Sequence, residues 1–126
     1  MSKSIMDVVA EARASVPSIS PEELMGILAQ DKTLVVDVRD APELIETGRV
    51  KGAINVSRGM LEFRADEATP THNTAFRRDK TIVLYCASGG RAALAGKALI
   101  NIGYEDVRCL GAFKDWVEAG GPVEIP

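Results

Sequence analysis

Apolar positions along this chain fall into two kinds of stretch. Thr33-Leu34-Val35-Val36-Asp37-Val38 and Thr81-Ile82-Val83-Leu84-Tyr85 are nearly continuous apolar runs of strand length. Such runs belong to parallel sheets covered on both faces. Ala53-Ile54-Asn55-Val56 and residues 106–109 predict two shorter strands. Val16-Pro17-Ser18-Ile19 predicts a short edge strand, where proline is tolerated. Stretches with helical spacing lie between them. Over residues 4–14, Ile5, Val8, Val9 and Ala12 share one face. Ser20-Pro21-Glu22-Glu23 is a helix start, with an N-cap serine, a proline at the first helical position and a glutamate that completes a capping box. That helix should run to about Gln30, with Leu24, Ile27 and Leu28 inward. Further helices are predicted over 41–47 (stopped by Gly48), 58–65, 90–102 and 112–119, the last ending at Gly120-Gly121-Pro122. Residues 66–80 are polar and read as loop, with at most one helical turn near Asn73 to Phe76.

Strands alternating with helices predict an α/β domain with a parallel sheet. In such sheets, ligands bind outside the carboxyl ends of the strands. Cys86 stands at one of those ends. After it come Ala87, Ser88, two glycines, Arg91 and an alanine-rich helical pattern. A strand that turns through glycines into a helix start sets the sulfur over backbone N–H groups, an arrangement that favours a thiolate and binds anions. The alternative is a buried inert cysteine closing a strand. The loop argues for cysteine chemistry on an anionic or sulfur-bearing substrate.

Composition narrows the classes. With 126 residues the chain makes one domain with one core and needs no disulfides. We divide it into an N-terminal helical extension, 1–15, and a main domain, 16–126. A net charge of −3 provides no basic excess for nucleic acid. No apolar run approaches membrane-helix length, and the first residues lack a continuous apolar signal core. A cytoplasmic, reducing location is the default expectation, so the two cysteines are not read as a bridge. One histidine and no paired-cysteine motif predict no metal site, and nothing in the sequence calls for a cofactor.

Three separate segments resemble one family. Asp37-Val38-Arg39, Glu43, Gly48, Val50, Gly52-Ala53 and Asn55 look like the first signature of rhodanese domains. Cys86 to Arg91 looks like their active-site loop. Gly103-Tyr104, Val107, Leu110-Gly111, Phe113, Trp116 and Gly120-Gly121-Pro122-Val123 look like their closing signature. The chain departs from the pattern where Arg49 replaces the usual histidine and where Gly111-Ala112 replaces a Gly-Gly pair. The resemblance implies a single rhodanese-like domain with a five-stranded parallel sheet flanked by helices on both faces. It also implies sulfur transfer from thiosulfate or a related small anionic donor, through a Cys86 persulfide, to a thiophilic acceptor. The acceptor would be cyanide or a thiol, a redox protein being one form of the latter. The N–H groups of Ala87, Ser88, Gly89, Gly90 and Arg91 would then ring the terminal sulfur, as an oxyanion hole does. A competing member type is a non-catalytic rhodanese module that binds a partner, which should lack the cysteine or crowd its loop.

Loop length separates a second chemistry. Cysteine-dependent phosphatases and arsenate reductases resemble this loop but hold five residues between cysteine and arginine. Four intervene between Cys86 and Arg91, a narrower cradle that suits a single sulfur. Arg91 either holds the anionic substrate or pairs with a carboxylate. Ser88 either contacts substrate or caps the helix. Arg39 and Arg58, each following a predicted strand, are candidate substrate contacts, with a structural brace and a solvated surface charge as their respective alternatives. Asp37 reads as a brace under the loop. Cys109 is either a core residue or a resolving thiol, His72 either a surface residue of the 66–80 loop or a base, and Phe113 and Trp116 core.

Overall fold

The computed structural model describes residues 2–126. In chain order the elements are α1 (Ile5–Ser15), α2 (Pro21–Ile27), β1 (Thr33–Asp37), α3 (Ala41–Thr47), β2 (Arg49–Val50) and β3 (Ile54–Asn55). A 3-10 turn (Arg58–Met60) and α4 (Leu61–Ala65) follow, then β4 (Thr81–Cys86), α5 (Gly90–Asn101), β5 (Val107–Ala112), α6 (Phe113–Glu118) and β6 (Val123–Glu124). The main sheet has the order β3-β1-β4-β5 and is parallel throughout. The two apolar runs therefore lie side by side at its centre, Val35 opposite Val83 and Asp37 opposite Tyr85.

Side chains of these strands alternate between two cores, as the strand period requires. Leu34, Val36, Ile82, Leu84 and Cys86 pack with Leu61, Phe76, Ala92, Ala95 and Leu99. Val35, Val83 and Tyr85 face the other way, against Leu24, Phe113 and Trp116. Burial on both faces explains the unbroken apolar runs. The same alternation decides the site: it turns Cys86 toward α5 and its neighbour Tyr85 toward α6.

The five-stranded sheet expected from the family resemblance is corrected to four parallel strands with a separate two-stranded ladder. Residues 16–19 do lie along β5, but they make a single bridge at Ser18. The Cys109 N–H donates to the Pro17 carbonyl at 2.8 Å, and the Ile19 N–H to the Cys109 carbonyl at 3.1 Å. Pro17 has no N–H to extend the pairing, and Ser20 at once caps α2. The other ladder joins β2 to β6, antiparallel. It carries an Arg49–Glu124 ion pair at 3.1 Å, so the arginine that replaces the usual histidine fastens the chain's far end. The predicted helix over 58–65 is a 3-10 turn followed by α4, and residues 66–80 form turns without helix or strand. No helix among the described residues is long and apolar enough to cross a membrane.

α1 begins with a capping box of Ser4 and Asp7 and lies across α5. Val9 and Ala12 pack on Ala93, and Val16 seats over Gly96. A Cβ at Gly96 would stand 2.8 Å from Val16 Cγ1, closer than carbon atoms pack. Gly96→Leu should therefore overpack the α1–α5 contact and lower stability by about 1–3 kcal/mol, read as a lower urea midpoint with an unchanged slope. An unchanged or higher midpoint would show that Val16 yields without cost.

Candidate active site

β4 delivers Cys86 to the carboxyl end of the sheet centre, between β1 and β5. The residue is fully buried. Ala87 and Ser88 are exposed and cross the sheet end. Gly89 then turns the chain into α5 with φ +104°, a left-handed conformation that only glycine adopts without strain. This turn points the Gly89 N–H at the Cys86 sulfur, N to Sγ 3.0 Å. The Ala92 N–H points at the same atom from 3.4 Å. Among the described residues, these two amides donate to Sγ. The N–H groups of Ala87, Ser88, Gly90 and Arg91 make no hydrogen bond to Sγ, whereas the ring expected of the loop is around the terminal sulfur beyond it. With the positive end of α5 behind them, the two amides supply a local field that stabilises negative charge on sulfur.

Arg91 does not lean over the loop. Its guanidinium is held in a fork by Glu43 of α3, at 2.8 and 2.9 Å. The same carboxylate accepts the Asp40 N–H at 2.8 Å, as the third residue of that helix's capping box. The fork holds the Glu43 carboxyl down at about 2. It also pushes Arg91 up, with a smaller contribution from the charge of Cys86. A half-exposed pair contributes about 0–1 kcal/mol, so its effect is positional. It ties the start of α5 to the start of α3.

Arg39 lies inside the protein at 2 % exposure. Its Nη2 donates to Asp37 Oδ2 at 2.7 Å and to the Gly48 carbonyl at 2.9 Å, its Nη1 to Thr47 Oγ1 at 2.7 Å, and its Nε to Asp37 Oδ1 at 3.0 Å. The guanidinium also covers the Phe113 ring at 4.7 Å. Asn55 Nδ2 donates to the Asp37 and Arg39 carbonyls at 3.0 and 2.8 Å. Tyr85 completes this group. Its Oη accepts the Val50 N–H at 3.0 Å, and burial, then hydrogen bonding to Asp37, raise its hydroxyl well above the ordinary range. The candidate substrate contact Arg39 and the candidate brace Asp37 are thus one buried pair.

Arg58 pairs with Glu62 at 2.7 Å and lines a cleft against Leu94, Lys97 and Ala98 in the second and third turns of α5, away from the cysteine loop. His72 Nε2 sits 3.3 Å from the Phe76 carbonyl oxygen, inside the 66–80 loop. Cys109 lies opposite Leu84, and the register then shifts so that Cys86 stands opposite Ala112. Burial first, then the charge of Cys86, push the Cys109 thiol up. A thiol so raised is less available as the thiolate that resolving chemistry needs. Two residues at the site were given no role there by the sequence reading, although Glu43 stands in the first signature. Glu43 had a usable signal, its place three residues after Asp40 at a helix start. Arg13 of α1, which lies against Gly89, had none.

Comparison with known proteins agrees with this geometry. The rhodanese-like domain profile matches residues 20–119. The chain is 29% identical over 112 residues to human thiosulfate:glutathione sulfurtransferase, covering 83% of this chain and 96% of that protein. Among solved structures it is similar to a Rhodopseudomonas palustris protein of unknown function described as a possible tyrosine phosphatase. That similarity has a TM-score of 0.89 and 35% identity, over 98% of this chain and 96% of the other. It is also similar to the polysulfide-sulfur transferase homodimer of Wolinella succinogenes, with a TM-score of 0.75 and 30% identity, over 94% of this chain and 85% of that one. With the profile spanning the sheet, the cysteine loop and α6, the chain belongs to the rhodanese-like domain family.

Proposed function

We propose that this protein is a sulfurtransferase that carries sulfane sulfur on Cys86. The observation that carries the reading is the buried Cys86 sulfur facing the Gly89 and Ala92 amides at the start of α5. The thiolate attacks the outer sulfur of thiosulfate or a related donor. A bond forms between Sγ and that sulfur, the donor's S–S bond breaks, and sulfite leaves with the electron pair. Charge balances, since a thiolate and a dianion give a persulfide anion and sulfite dianion. The loop amides of Ala87, Ser88, Gly90 and Arg91, which do not bond Sγ, are available to the terminal sulfur. Cyanide or a thiolate, free or on a redox protein, then attacks that sulfur and restores the Cys86 thiolate, so one hard step becomes two easier ones. We divide the chain into an N-terminal extension, whose helix α1 (Ile5–Ser15) packs on α5, and the 16–126 domain.

The roles divide accordingly. Cys86 is the nucleophile, and Ala87 to Gly90 form the cradle. Arg91 is a positioning residue that fixes the start of α5 through Glu43. Asp37 and Arg39 brace the sheet end beneath, and Arg58 belongs to the α5 surface. Similarity to a protein of unknown function described as a possible tyrosine phosphatase makes phosphoryl transfer the reading to exclude. A phosphatase needs its loop arginine on the phosphate oxygens, and Arg91 is occupied by Glu43. Sulfite release from thiosulfate in the presence of cyanide should be readily measured for the native protein and fall to background in Cys86→Ser, with no Cys86-dependent hydrolysis of an aryl phosphate. Aryl phosphate turnover without sulfite release would reverse the assignment.

The clamp has its own signature in pH. Because the folded value of Glu43 lies near 2, below its ordinary 4.5, its contribution is fully present above about pH 4.5 and is lost as pH falls toward 2. Native protein should be more stable than Glu43→Gln at neutral pH, and the gap should close across that window. Transfer by the variant should drop by about tenfold, from a displaced loop. Parallel stability curves with undiminished transfer would remove Glu43 from this role.

A further inference from the structure

α1 lies outside the residues matched by the family profile, yet it reaches the site. Its packing on Ala93 and over Gly96 brings its last turn against the cysteine loop. There the Arg13 guanidinium covers Gly89, with Nη2 3.0 Å from the position that a Gly89 Cβ would take. Gly89 is the residue whose N–H bonds the Cys86 sulfur, so this cation sits one residue from the reacting atom. Among the described residues Arg13 has no ion-pair partner, while the loop's own Arg91 is held by Glu43. Arg13 lines a cleft of about 230 Å³ between α1, β5 and the start of α6, with Ser88, Cys109, Ala112 and Asp115 among its other walls. Its field crosses that cleft, since it draws the Cys109 thiol downward against burial and the charge of Cys86.

The sulfur-transfer reading leaves one electrostatic need unmet. A thiolate must meet a dianionic donor, and the amides at Sγ are already engaged with the cysteine. We propose that Arg13 is the donor-positioning residue: it holds the oxygens of thiosulfate or another thiosulfonate in the α1–β5 cleft, with the Ser88 hydroxyl beside it, while the outer sulfur faces Cys86. This rests on the sulfurtransferase reading and adds to it the residue, outside the family's matched segment, that binds the donor's oxyanion head. Arginine's planar fork suits such a head, and the exposed mouth of the cleft admits it.

The test is steady-state transfer from thiosulfate to cyanide by native protein, Arg13→Ala, Arg13→Glu and Arg13→Lys, each at low and high ionic strength. Arg13→Ala should raise KM for thiosulfate by about tenfold with kcat changed less than about twofold. Arg13→Glu should raise KM further, and Arg13→Lys should recover most of the loss. The differences should shrink as salt screens the charge. A merely structural role for Arg13 would lower kcat or thermal stability without this charge order. Unchanged KM in both Arg13→Ala and Arg13→Glu, with the native protein active, would overturn the assignment while leaving the sulfurtransferase reading standing. A native protein that transfers sulfur from no donor would overturn that reading and this one with it.

Discussion

The hydrogen bond from the Gly89 N–H to the Cys86 sulfur, 3.0 Å long, is the contact around which the rest of the molecule is arranged. It requires a cysteine at the last position of a central strand, turned to the α5 side by the strand's alternation. It requires a left-handed glycine three residues later. It also requires that α5 begin at once, so that the Ala92 amide arrives from the same direction. Each condition is met by a different level of structure: the parallel sheet, the backbone of one residue, and the helix that covers the sheet. Burial of the sulfur among Leu84, Ala92 and Ala95 excludes water, so the two amides act on it in a low-dielectric site.

Two ion pairs keep this arrangement in register, and they work differently. Glu43–Arg91 is half-exposed and contributes little energy, but it joins the first turn of α3 to the first turn of α5. Asp37–Arg39 is buried, with its remaining polar atoms taken by Thr47, Gly48 and Asn55. Loss of one partner from a pair of this kind leaves an uncompensated buried charge and costs about 3–5 kcal/mol. The pair lies where β1, β2, β3 and the Tyr85–Phe113 stack meet, so it fixes the sheet end from which the cysteine loop departs. All three arginines that the sequence offers to an anionic substrate, Arg39, Arg58 and Arg91, are therefore held by carboxylates, and Arg13 of α1 is left to face the cleft.

What the sequence revealed follows from the range of the physics involved. The central strands, the Ser20 capping box, the turn at Gly89 and the place of Cys86 are written in neighbouring residues, and all were legible. The fifth strand was not, because its loss depends on Pro17 withholding an N–H and on Ser20 capping the next helix one residue after Ile19. The β2–β6 ladder joins residues on opposite sides of the chain, and two-residue strands leave no periodic trace. Arginine partners were legible where they are local, as Asp37 is for Arg39, but Arg91 meets a carboxylate 48 positions away that only the fold brings near. Arg13 carried no signal, since a charge on the outer face of an amphipathic helix looks the same whether it meets solvent or a catalytic loop.

The central claim is that sulfur rests covalently on Cys86 between two half-reactions, and intact-mass measurement after incubation with thiosulfate alone tests it most directly. The account predicts one added sulfur atom on the native protein, located to the peptide containing Cys86, removed by cyanide, and absent from Cys86→Ser. A native protein that turns over thiosulfate with no added sulfur, or that carries it on Cys109, would contradict the account.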